Sequence, residues 1–257
     1  MKISIIGFGN MAKAMAQGLL RNQSNQLRVS SPSLPIGTNS DGIQTHSDNL
    51  SIIPDADVVI LAAKPALMQS VIDQIRPALS ADCLVISVAS GLNLASFKLN
   101  CPIVRAMPNI AAALGQSATP LIANKWVTDA QKTMAETIFA SMGITAWITE
   151  ENQMDVFTAL SGSGPAYVFL LMESMVNAAI HLGLPKDVAT SFALQTVQGA
   201  VSLAMNRTME LDALRATVTS PAGTTAAAIS VFKDRGLGEI VYDAMRAACD
   251  RAIELGR

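Results

Sequence analysis

The chain has 257 residues, half of them hydrophobic, with only 15% charged and a formal net charge of −2. That is enough apolar material for one large domain or two modest ones with real cores, and it leaves no basic footprint for nucleic acid and no acidic tail. Cys83, Cys101 and Cys249 are odd in number and widely spaced, and His46 and His181 lie in unrelated segments, so neither a disulfide framework nor a metal site is expected and the reading is a reduced, cytoplasmic protein.

Lys2 is followed by an apolar run that breaks at Gly7, too short for an export segment or a membrane span. Residues 3–6 read as a buried strand, 10–21 as an amphipathic helix, 27–30 as a second strand and 57–62 as a third. Helix 66–76, strands 84–87, 103–107 and 119–122, helix 129–141 and strand 145–148 continue the alternation. Strands separated by helical crossovers predict an α/β domain with a mostly parallel, doubly wound sheet covered on both faces.

After Glu150 the strand signals stop. From residue 152 onward nearly everything reads as helix, with breaks at 161–164, 183–185, 206–208, 219–223 and 235–238. The expected boundary therefore lies at Glu150 and Glu151, dividing a dinucleotide-binding domain (1–150) from a helical domain (151–257). Residues 156–206 hold only Glu173, Lys186 and Asp187 as formal charges. The uncharged run 188–206 carries Thr, Ser, Gln and Asn at intervals, which marks a buried helix and not a lipid-facing one. Helices this apolar are covered either by a second copy in an obligate dimer or by the remaining helices of the same subunit.

The first chemical motif is Gly7-Phe8-Gly9-Asn10-Met11-Ala12, which follows a strand and opens a helix as a dinucleotide-binding turn requires. Gly7 serves the tight turn, Gly9 the backbone approach to a pyrophosphate, and Ala12 the packing of helix on strand. At the end of the second strand the chain reads Val29-Ser30-Ser31-Pro32-Ser33. No carboxylate is present to repel a 2′-phosphate and hydroxyls are available to bind one, which favours NADPH while leaving NADH possible. Ala62-Ala63-Lys64-Pro65 ends the third core strand and should flank the cofactor. Lys64 is either a proton donor or, as favoured here, a solvated or phosphate-facing lysine. Val88-Ala89-Ser90-Gly91 should line the nicotinamide side. Arg105-Ala106-Met107-Pro108-Asn109 ends in a polar corner, where Asn109 either supports the active site or merely stabilises a turn.

In the helical part, Ser161-Gly162-Ser163-Gly164-Pro165-Ala166-Tyr167 opens a long helix whose glycines permit close approach of a helix or a flat ring. Dehydrogenases of β-hydroxyacids carry a lysine one turn into the corresponding helix. Here that stretch is Val168-Phe169-Leu170-Leu171-Met172, which disfavours alcohol oxidation. Ser220-Pro221-Ala222-Gly223-Thr224-Thr225 reads as an N-capping serine, a proline at the first helical position and a helix running away from it. Its unpaired N–H groups form a cup suited to a small carboxylate, although an ordinary capped helix carries the same signature.

Taken in order, these blocks together with Ala159-Leu160 and Gly183-Leu184-Pro185 resemble the pyrroline-5-carboxylate reductase family across nearly the whole chain. The resemblance implies NAD(P)H-dependent reduction of the cyclic imine 1-pyrroline-5-carboxylate to proline, and a C-terminal domain that interleaves into dimers or decamers. By motif it places the cofactor on Gly7, Phe8, Gly9, Asn10, Met11, Ser31, Ser33, Asn49, Ala62, Ala63, Lys64, Pro65 and Ala89. The substrate carboxylate falls on Ser220, Gly223, Thr224 and Thr225, and the Thr225 hydroxyl faces the ring nitrogen as the one catalytic side chain. Ala222 departs from the glycine usual in the family. A reductase of another small cyclic imine or acid, or a non-catalytic NADP-binding regulator, remains the alternative at this point.

Overall fold

The structure is a computed structural model that describes residues 1–206 and 208–256. It divides into two compact units. One comprises Met1–Pro165 together with the described residues from Arg246 onward, and the other is Ala166–Met245.

The described residues of the first unit form a nine-stranded sheet. Strands β1 (Lys2–Ile6), β2 (Gln26–Ser30), β3 (Gly37–Thr38), β4 (Gln44–His46), β5 (Val58–Leu61), β6 (Leu84–Ser87), β7 (Ile103–Ala106), β8 (Ser117–Ala123) and β9 (Gly143–Trp147) lie in the order β3-β4-β2-β1-β5-β6-β7-β8-β9. Pairing is parallel except between β3 and β4 and between β7 and β8. The order reverses at β1, which pairs with β2 on one side and β5 on the other, so the ligand crevice of such a sheet opens at the carboxyl ends of β1 and β5.

The central strands are near-continuous Val, Ile and Leu because both faces are covered. In β5, Val58 and Ile60 enter one core with Ile3, Ile5, Ile86 and Val104, while Val59 and Leu61 enter the other with Ile6, Val85 and Ile103. Helices α1 (Asn10–Leu19), α2 (Pro65–Ile75) and α3 (Asp129–Ala140) supply the crossovers. Pro65 starts α2 at a position whose N–H would have no helical partner in any case. Thr128 and Gln131 form a reciprocal capping box on α3.

The helical elements are α4 (Gln153–Phe157), a π turn (Thr158–Gly162), α5 (Gly164–His181), α6 (Lys186–Met205), α7 (Leu211–Thr217), α8 (Thr224–Asp234) and α9 (Leu237–Leu255). The break expected at 161–164 is absent: the chain passes from α4 through the π turn almost directly into α5. Breaks at 183–185, 219–223 and 235–238 are present. The one expected at 206–208 includes Arg207, which lies outside the described residues.

Residues 188–206 were expected to be buried, and within one chain they are not. Helix α6 buries only Ala189 and Ala193, while α5, α7 and α8 bury no residue. Within their own unit these helices therefore leave their apolar faces uncovered. By length and composition alone α6 also passes for a membrane span, but Lys186 and Asp187 open it and Gln195 and Gln198 interrupt its apolar surface.

Candidate active site

The turn after β1 is built as its glycines require. Gly7 has φ 92°, and a Cβ there would stand 2.7 Å from the Ala62 carbonyl oxygen, so only glycine lets β1 and β5 end side by side. Gly7 N–H donates to Ser30 O at 2.8 Å and Ala62 N–H to Ile6 O at 2.8 Å, tying β1, β2 and β5 together at the crevice. Gly9 caps α1 in an extended conformation with open space where a Cβ would project. The N–H groups of Asn10, Met11 and Ala12 therefore open the helix toward that space, with no acidic side chain in the first turn to oppose an anion. Ala12 is buried in the packing of α1 on the sheet, the role expected of it.

Beside this turn, Ser31 is half-buried and its hydroxyl lies 3.4 Å from that of exposed Ser33. Ser30 is fully buried and donates to Asn49 Oδ1 at 2.7 Å, and Asn49 Nδ2 donates to Gln74 Oε1 at 2.7 Å. Asn49 thus fastens the end of β2 to α2. Ala62 and Ala63 are half-buried, Lys64 is exposed and Ala89 is buried at the end of β6. Apart from Asn49, which follows β4 and reaches the end of β2 through Ser30, the residues expected to touch the cofactor follow the carboxyl ends of β1, β2, β5 and β6.

The end of β7 carries two ties that the motifs did not reveal. Arg105, almost fully buried, pairs with Glu151 Oε1 at 2.5 Å, and the same oxygen accepts the Leu94 N–H at 2.6 Å. Burial pushes the Asp155 carboxyl above its ordinary range; Arg105 opposes this and Glu151 adds to it. The second tie runs from Asn109 to the π turn, with Asn109 Nδ2 donating to Ser161 O at 3.0 Å. The only sequence cue to the first was the acidic pair Glu150 and Glu151 after the last strand.

In the second unit the cup differs from expectation. Pro221 is not the first helical residue and Ser220 is not the cap: α8 starts at Thr224 and Gly223 is its N-cap. Ser220-Pro221-Ala222-Gly223 forms a turn closed by Gly223 N–H to Ser220 O at 3.1 Å, with Ala222 at φ 58°. Proline second and a positive φ third is the type II pattern. The Gly223 N–H is consumed by the turn, so the donors free to meet a carboxylate are those of Thr224, Thr225 and Ala226 in the first turn of α8. A Cβ at Gly223 would come within 2.5 Å of the Ser220 hydroxyl oxygen and 3.1 Å of the Ser220 carbonyl oxygen, so a larger residue there would require the Ser220 side chain to rotate.

Residues 151–255 match the family model described as pyrroline-5-carboxylate reductase dimerisation, and residues 2–91 match that of NADP oxidoreductase, coenzyme F420-dependent. The chain is 40% identical to a pyrroline-5-carboxylate reductase of Pseudomonas aeruginosa, covering 99% of this chain and 96% of that one. Among solved structures, a pyrroline carboxylate reductase of Plasmodium falciparum with NADP bound superposes with a TM-score of 0.92 at 30% identity, over 100% of this chain and 98% of that one. A pyrroline-5-carboxylate reductase of Coxiella burnetii gives 0.90 at 39% identity, over 99% and 98%.

Proposed function

The chain belongs to the pyrroline-5-carboxylate reductase family, and from that premise we propose how its own residues carry the reaction. The enzyme is an oxidoreductase of the CH–NH group in proline biosynthesis: bound NADPH supplies a hydride to the imine carbon of 1-pyrroline-5-carboxylate, giving L-proline.

The first turn of α1, at Gly9, Asn10 and Met11, receives the pyrophosphate, with Gly7 and Phe8 shaping its approach. Ser31 and Ser33 hold the 2′-phosphate, and Asn49 keeps their strand end in place. Ala62, Ala63, Lys64 and Pro65 let the cofactor lie close to the backbone, and Ala89 faces the nicotinamide. NADH, lacking the 2′-phosphate, is the weaker donor.

Ser220 Oγ and the N–H groups of Thr224, Thr225 and Ala226 grip the substrate carboxylate, Gly223 leaves them room, and the Thr225 hydroxyl contacts the ring nitrogen. Each charge-assisted hydrogen bond contributes about 1.5–3 kcal/mol. A protonated imine is already a strong hydride acceptor and takes its proton from water before binding, so no general acid is required. What the protein adds is orientation, worth roughly 7–11 kcal/mol in favourable cases.

We place the functional division at Glu150 and Glu151, a partition supported by the dimerisation match that begins at 151. The compact units divide the chain later, after Pro165, because α4 and the π turn pack with the sheet. The chain self-associates, as a homodimer or a larger homo-oligomer of such dimers. We assign it to the cytoplasm, a setting that suits three free cysteines.

The observation that carries this reading is the end-to-end likeness to the Pseudomonas enzyme. The test is NADPH oxidation driven by 1-pyrroline-5-carboxylate, in the wild type and in Thr225→Ala. The variant should lose about 10- to 100-fold in kcat/KM for the imine with NADPH affinity within about twofold. Equal loss of both would remove Thr225 from the substrate site.

A further inference from the structure

The π turn Thr158–Gly162 is closed by Ser163 N–H to Thr158 O at 2.8 Å. The α-helical donor to the Ser161 carbonyl would be the N–H of the residue four positions on. That residue is Pro165, which has none. The carbonyl is served instead by Asn109 from beyond the end of β7, through Nδ2 at 3.0 Å. Asn109 is 6% exposed and the rest of it is committed: Oδ1 accepts the Ala111 N–H at 3.0 Å, and its own N–H donates to Ser117 Oγ at 3.0 Å. Reversing the amide would set two acceptors against each other at Ser161 and two donors at Ala111, so its orientation is fixed. Next to it the Met107 side chain reaches Gly162, where a Cβ would stand 3.3 Å from Met107 Cε.

We propose that Asn109 is a positioning residue for hydride transfer, its amide replacing the N–H that Pro165 lacks and holding the π turn against the carboxyl end of the sheet. The proposal rests on the reductase reading for what lies at that end. The phosphate-binding turn after β1 and the cup at 220–226 are built from other residues. Loosening the π turn therefore slows turnover and spares cofactor affinity.

The test is Asn109→Asp in the full-length enzyme. It preserves shape and the acceptor for Ala111 N–H, but in its ionised form it offers Ser161 only acceptors. kcat, both KM values and Tm are measured as ratios to the wild type from about pH 5 to about pH 9. At the alkaline end kcat should be down about tenfold or more with KM for NADPH within about twofold. As the pH falls the ratio should climb, because the protonated carboxyl becomes an O–H donor to Ser161 and a buried site favours the uncharged form. Asn109→Ala, with no carboxyl to protonate, should show the low kcat at every pH. Wild-type kcat in either variant overturns the proposal. So does a joint decline of kcat, both KM values and Tm in Asn109→Asp with no recovery at low pH, which is the signature of simple destabilisation. Wild-type turnover tests the reductase reading by itself, and the variant-to-wild-type ratios test Asn109.

Discussion

Ala222 holds a φ of 58°, in the left-handed region where a Cβ crowds the neighbouring carbonyl at a cost of about 1–2 kcal/mol. Part of that is returned, because alanine has less backbone freedom to lose on folding than glycine, an effect of roughly 0.4–1 kcal/mol. Ala222→Gly should therefore stabilise the protein by up to about 1 kcal/mol, raising Tm by roughly 2–4 °C in thermal unfolding. KM for the imine should hardly move, since the α8 donors and Ser220 are unchanged; a lower Tm would mean that the turn tolerates the methyl group without strain. The left-handed conformation was not legible in the sequence. Ser-Pro-Ala-Gly suits a proline-initiated helix as well as a type II turn, and only the geometry shows the helix waiting until Thr224. Asn109 was similarly ambiguous between turn-maker and active-site support; its Oδ1 accepts the Ala111 N–H, as a turn-maker's does, while its Nδ2 reaches the Ser161 carbonyl, a partner that the sequence did not show.

Among the elements, the central strands and crossover helices were legible because runs of Val, Ile and Leu in parallel strands have few other uses. The edge was not: β3 and β4 are two and three residues long and hold Gly, Thr, Gln and His, too short and polar to show a pattern. The π turn was hidden because it differs from an α-helix by one residue per ring, and its cue, Pro165, looked like an ordinary helix start. Also unreadable was the seat of α9. Gly91, in the loop after β6, has φ 81°, and a Cβ there would lie 2.8 Å from Gly256 N and 2.9 Å from Ala252 O. The end of α9 thus rests backbone to backbone on the loop that follows Ala89. Both obstacles to a Cβ are backbone atoms that cannot rotate away. Gly91→Ala should cost about 2–4 kcal/mol from backbone strain and overpacking combined. Tm should then fall by roughly 5–15 °C. An unchanged Tm would show that the end of α9 detaches at little cost.

At the scale of the molecule the decisive quantity is uncovered apolar surface. Phe192 is 69% exposed, Leu203 67% and Met205 81%, and all three lie on α6. Helices so bare call for a cover, and the dimerisation match over 151–255 points to another copy as that cover. The sequence displayed the scarcity of charge from 156 to 206, but periodicity reports only that a face is apolar and never which chain covers it. The compact units show only that this half does not cover itself, since the sheet unit carries two full cores and the unit Ala166–Met245 has almost none. Its stability must then be drawn from association, which makes folding of this half and assembly a single event. Phe192→Asp places a charge where a buried ring is expected. By size-exclusion chromatography with light scattering it should lower the mass below that of the wild type, and imine reduction should fall with it. The dinucleotide turn is built wholly within the sheet unit, so NADPH affinity should persist in the dissociated chain. A wild-type mass with normal turnover would place α6 outside the interface and require another face of the same unit to provide its cover.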